Sequence, residues 1–141
     1  MCRAVRRRLG RRGTALALLG IGKVLYGLGF ILAGDPEPDG LQLLTHQAAL
    51  ASWAWIWVGC GAVAFACAWL RVGRDLPGFI AALIPPFIWG CAYLWSAVAY
   101  GQMRGLAVFG WYATSHFALI LWAASVPEHS VPHPRSKRGP A

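Results

Sequence analysis

Charge is scarce in this chain of 141 residues: Asp, Glu, Lys and Arg together make up 13%, and only five of them are acidic. Soluble domains carry about 25% charged residues, so a surface this poor in charge is not built to face water. The five carboxylates, Asp35, Glu37, Asp39, Asp75 and Glu128, all fall outside the long apolar runs. Cysteine is sparse as well. Cys2, Cys60, Cys67 and Cys91 show no CxxC spacing, and three of them sit inside apolar runs, where Cys is a small packing residue. Neither a disulfide frame nor a zinc site is expected.

Catalytic groups are missing in the same way. No nucleophile has a base at informative spacing and no glycine loop faces a phosphate. His129 and His133 are four apart, but Pro132 between them opposes the helix face that such a metal pair needs. The sequence therefore predicts no enzyme, no metal and no cofactor.

What is present is apolar: 57% of the residues are hydrophobic, with eight Trp. Four runs, residues 14–33, 48–70, 77–100 and 106–125, each meet the requirement of about 20 residues for a hydrocarbon core of roughly 30 Å. The expected fold is all-α, a transmembrane four-helix bundle over residues 14–125. A basic cytoplasmic segment, residues 1–13, precedes it, and a disordered, proline-rich cytoplasmic tail, residues 126–141, follows. A cleaved signal peptide is a weaker reading of the first run, which is too long, contains Lys23 and places Ile31 where a small residue is needed.

Of the thirteen Lys and Arg, all but Lys23 and Arg104 lie before the first run, between the second and third, or after the fourth. Basic residues in short loops stay in the cytoplasm, so the expected orientation in the plasma membrane is N-in, C-in. The connection 34–47, with Asp35, Glu37, Asp39, Pro36 and Pro38, then reads as a stiff acidic external turn. Trp53, Trp95, Tyr100, Trp111 and Tyr112 fall toward the outer ends, and Trp69 and Trp122 toward the inner ends, as aromatic belts should. The partners implied are the lipid bilayer and, for the basic termini, anionic headgroups; no aromatic stacking platform accompanies these termini, so nucleic acid is not expected.

Gly20 and Gly27, and likewise Gly22 and Gly29, recur seven apart in the first run, and Gly59 and Gly61 narrow the second. Small residues at such spacing are contact surfaces between membrane helices, within one chain, in a homo-oligomer or with a membrane partner. Lys23 shares the face of Gly20 and Gly27 near the bilayer midplane, where a lysine costs about 2.5–3.5 kcal/mol on insertion scales. Consecutive Pro85 and Pro86 in the third run should free carbonyls near Ala81 and Ala82, and His116 lies at similar depth in the fourth. A midplane polar cluster of Lys23, Pro85, Pro86 and His116 is one reading. In the other, Lys23 snorkels along the glycine groove and His116 is a hydrogen-bonded interior residue.

The segments RRRLGRRGTALALLGIGKVLYGLGF, WAWIWVGCGAV, RVGRDLPGF and GWYATSHFALILWAASVPE resemble small four-helix membrane proteins of actinobacteria and their phages. The resemblance covers nearly the whole chain, implies a host type, and carries over no site residues. Size and span number also resemble the small multidrug exporters, but Lys23 stands in a first helix that carries no acid, which opposes that family. Phage holins are similar in being small and apolar with a charged tail. The function expected is that of a non-enzymatic phage or mobile-element accessory factor acting through helix packing. The alternatives are a holin-like pore former and a small-solute or ion carrier using the midplane cluster.

Overall fold

Apolar segments of bilayer length satisfy their backbone donors internally by forming helices. In the computed structural model the described residues are 2–33, 39–71 and 73–125, with side chains from residue 10 onward, and no strand occurs among them. Helix α1 (Cys2–Leu32) is broken at Gly10, whose φ of 62° and ψ of −171° suit glycine alone. The membrane-length part is Gly10–Leu32. A short α2 (Gln42–Thr45) precedes α3 (Leu50–Cys67) and α4 (Leu76–Tyr100). The fourth long helix, Met103–Ser125, consists of α5 (Met103–Tyr112), a π-helical turn (Ala113–Ala118) and α6 (Leu119–Ser125).

Four helices are thus long and apolar enough to cross a membrane. Their bounds differ from the apolar runs at the ends. The fourth starts earlier because Arg104 and Gly105 join its first turn, and the second stops at Cys67 because the chain turns over Ala68 and Trp69. The connection expected as a stiff turn instead contains α2, whose Leu44 is buried together with Leu41; residues 34–38 of that connection, and the tail 126–141, lie outside the described residues. Helix α4 runs through Pro85 and Pro86 as one helix, with both rings fully buried.

Two polar joints fasten the ends. At one end Arg12 Nε donates to Asp75 Oδ2 over 2.9 Å, Arg12 Nη1 donates to the Ala124 carbonyl, and the guanidinium stands 5.2 Å from the Phe79 ring centroid. At the other, the buried Ser96 hydroxyl donates to Gln102 Oε1 at 2.8 Å, with Gln42 Oε1 a longer alternative at 3.4 Å. Gly40, at φ +103°, lets the chain pass against the Tyr93 ring. Residues 12, 75 and 124 meet at one end and 42, 96 and 102 at the other, so successive long helices run antiparallel.

The core has two parts. Leu16, Ala64, Phe79, Ala82 and Ile120 pack at the Arg12 end. Leu41, Leu50, Trp57, Trp89 and Tyr112 pack toward the Ser96 end, with Trp57 and Trp89 edge to face at 5.4 Å. Many large side chains, among them Leu25, Trp55, Phe87, Val98 and Trp122, remain exposed, as a surface that meets lipid would leave them. Helix α1 packs along α3, α3 against α4, and α4 against α5; among the described residues, the backbones of α1 and the fourth long helix come close only at α6. The bundle therefore stays open on one side.

Candidate functional site: a lateral cleft around Lys23

The gap between α1 and the fourth long helix is a cleft of about 460 Å³. Its lining on α1 runs from Ala15 to Tyr26, eleven helical steps and hence about 16 Å of helix. Toward the Arg12 end the walls are apolar, with Leu18, Leu19, Leu119 and Ala123; toward the other end they turn polar and aromatic, with Lys23, Tyr26, Trp57, Trp111, Tyr112 and His116. Leu18, Tyr26, Trp111 and Leu119 are also exposed on the outer surface, so the opening faces sideways.

Lys23 is 3% exposed, and its Nζ stands 4.9 Å from the centroid of the Trp57 ring. A cation over a tryptophan face gains about 2 kcal/mol when desolvated, which offsets part of the burial cost. Nζ has no hydrogen-bond acceptor among the described residues, and neither has Trp57 Nε1. The carbonyls expected near Pro85 and Pro86 therefore do not receive the lysine, and neither proline lines the cleft. Lys23 and His116 do line the same cleft.

His116 projects from the π-helical turn, where the extra residue per turn re-aims side chains. Thr114 and Ser115 donate back to the carbonyls of Gly110 and Trp111, at 2.9 and 2.5 Å. Ser115 Oγ also lies 2.8 Å from His116 Nδ1. A hydroxyl has one proton; with that proton on the Trp111 carbonyl, Nδ1 of the imidazole is the donor and Nε2 is left as an acceptor. The ring is held 5.1 Å from those of both Trp111 and Tyr112. Tyr112 and Tyr26 join across the cleft through their hydroxyls at 3.2 Å.

The glycines divide into two sets. A β-carbon on Gly20 would stand 2.7 Å from the Gly61 carbonyl oxygen, one on Gly61 2.8 Å from the Gly20 oxygen, and one on Gly27 2.8 Å from the Ala54 oxygen. These three seat α1 on α3. Gly22, Gly29 and Gly59 would meet nothing within 4 Å, and Gly22 lines the cleft. Close contacts also occur at Gly78 against Cys67 and Leu16, and at Gly105 against the Tyr93 carbonyl, two glycines that show no repeat in the sequence.

Tyr26, Trp57, Trp111 and Tyr112 belong to the site and were not legible as such. A helical signal existed for two of them: Tyr26 follows Lys23 by three, and Tyr112 precedes His116 by four, so each pair shares a face. Among the described residues no group of His, Cys, Asp and Glu could hold a metal. The arrangement offers hydrogen-bond donors and aromatic faces in an apolar slot, the equipment of a binding site. Ser115 and His116 are in contact, but the serine proton is committed to the Trp111 carbonyl and the imidazole donates to the hydroxyl, so the pair is not set for nucleophilic attack.

Fold and cleft together define an all-helical protein with four helices long and apolar enough to cross a membrane, grooved on one side. No known protein family, curated protein or solved structure matches the chain.

Proposed function

We propose that the chain is a multi-pass protein of the cell membrane, with both termini in the cytoplasm, that works by non-covalent recognition inside the bilayer through its lateral cleft and not by catalysis. The observation that carries this reading is Lys23, buried at the wall of a side-opening cleft with no acceptor for its ammonium among the described residues. Intramembrane ionisable groups are costly and mark binding or transport paths. The basic residues at the Arg12 end of the bundle support the orientation. An accessory role in an actinobacterium or its phages rests on the sequence resemblance alone.

A photoreactive amino acid at position 22, where a side chain meets open space, tests the reading in cells. A specific adduct from position 22, absent from a control at position 59, is the expected result, whether of small-molecule or protein mass. Labelling of bulk lipid alike at both positions would refute it. Packing against a membrane partner is the second reading, favoured by the outward-open Gly29 and Gly59.

A further inference from the structure

We infer that the cleft takes a long-chain monocarboxylate from the bilayer, its carboxyl oxygens at Lys23 and Trp57 and its chain along the apolar wall of Leu18, Leu19 and Leu119. This rests on the proposed recognition inside the bilayer and names its ligand.

Lys23 Nζ, Trp57 Nε1 and Trp89 Nε1 are buried donors without an acceptor among the described residues. Lys23 and Trp57 line the cleft and Trp89 does not; the two cleft-lining donors are covered, so the ligand reaches them as the flexible Lys23 side chain shifts. Two donors with no acceptor call for a group that is all acceptor, and a carboxylate presents two oxygens and no competing proton. A neutral head, an alcohol or an ester, can accept from both donors but brings no negative charge to offset the buried ammonium. The opening is sideways, between exposed apolar side chains, so the ligand arrives through lipid.

A helix does not fit wholly within the cleft. At a diameter of about 10 Å and 1.5 Å per residue, 460 Å³ holds only about four residues of helix, whereas it falls inside the range of small-molecule pockets, roughly 300–1,000 Å³. A second copy of the chain is excluded by charge. None of its five carboxylates falls within the four long apolar runs of the sequence, and Asp75 is already bound by Arg12. Lys23 and Trp57 lie at the polar end of the cleft and Leu18, Leu19 and Leu119 toward the Arg12 end, so the chain of the bound ligand points toward the Arg12 end.

The test uses the full chain in nanodiscs of zwitterionic lipid, labelled with a diazirine-bearing palmitate. Labelling should map to peptides holding Lys23 or His116. Excess palmitate should suppress it about tenfold, and methyl palmitate and hexadecanol should not. Lys23→Met and Lys23→Gln, each checked for unchanged helicity and elution position, should lose labelling by a similar factor. Equal competition by acid, ester and alcohol, or undiminished labelling of both Lys23 variants, overturns the carboxylate while leaving cleft recognition standing. A protein adduct at position 22 in cells does the same. Absence of cleft labelling by any probe, together with no specific adduct in cells, overturns both.

Discussion

Arg12 and Asp75 are 63 positions apart, yet their side chains form a two-point contact, Nε to Oδ2 at 2.9 Å and Nη2 to Oδ1 at 3.3 Å. The same guanidinium reaches the Ala124 carbonyl, so one side chain ties α1, α4 and α6 at a single end. Both partners are largely buried, at 13% and 5% side-chain exposure. Removing one member of a buried pair leaves the other without compensation, at about 3–5 kcal/mol; a partly hydrated site near a helix end should lose less. Asp75→Ala is expected to lower the thermal midpoint of the purified protein by the equivalent of about 2 kcal/mol. In a double-mutant cycle with Arg12→Ala, the second substitution should then cost much less than it does alone. Additive losses would show that the two side chains are not coupled.

The same contact sets a pH dependence. Burial works to raise the Asp75 carboxyl, but the Arg12 hydrogen bonds, the Gly73 amide donor and the Arg12 charge outweigh it, and the group sits below the ordinary carboxylate value. A depressed value in the folded state stabilises above the unfolded pKa of about 3.9, and that contribution is lost as pH falls through the lower folded value. The Asp75 contribution should therefore be flat from pH 8 to 5 and decline only below about pH 4. Asp75→Asn should lower the plateau and remove that acid limb. Midpoints measured from pH 3 to 8 would show both, and an unchanged acid limb in the variant would assign it to another group.

Glycines alike in the sequence should respond oppositely to alanine. At Gly20 and Gly61 the new methyl would stand under 3 Å from backbone atoms of the facing helix, which must move away, and overpacking of this kind costs about 1–3 kcal/mol. At Gly22 and Gly59 the methyl meets open space, and the helix gains up to about 1 kcal/mol in propensity. Thermal unfolding of the four single variants should place the first pair below the wild type and the second pair at or above it. Equal losses at all four would mean that α1 and α3 also pack through their open faces.

The four long helices were legible because a bilayer-length apolar run has one backbone solution, and hydropathy reports it directly. Which face turns inward was not. In such helices lipid-facing and packed faces are equally apolar, so nothing in the pattern separated Gly20 from Gly22 or marked Trp57 as the lysine's neighbour. Arg12 read as one orienting charge among many and Asp75 as a loop acid; their pairing depends on the packing of three helices. Lys23 and His116 could be matched by depth alone, but the π-helical turn that carries the histidine has no sequence signature in Thr114 and Ser115 beyond their capacity to bond back to the helix.

Lys23→Met gives a prediction about stability that is separate from ligand binding. The ammonium has an aromatic face beneath it and no acceptor among the described residues, so its burial is only partly offset. Methionine keeps most of the side-chain length, packs against the Trp57 ring through its sulfur, and removes the orphan donor. In delipidated detergent the variant should unfold within about 1 kcal/mol of the wild type, or above it. A loss of about 3 kcal/mol or more would match the breaking of a buried ion pair and would mean that the lysine is held by an acceptor. Repeating the measurement in a Trp57→Leu background separates the two contributions: if the ring is what holds the ammonium, Lys23→Met should stabilise that background more than it stabilises the wild type, because leucine leaves the buried charge with no π face at all.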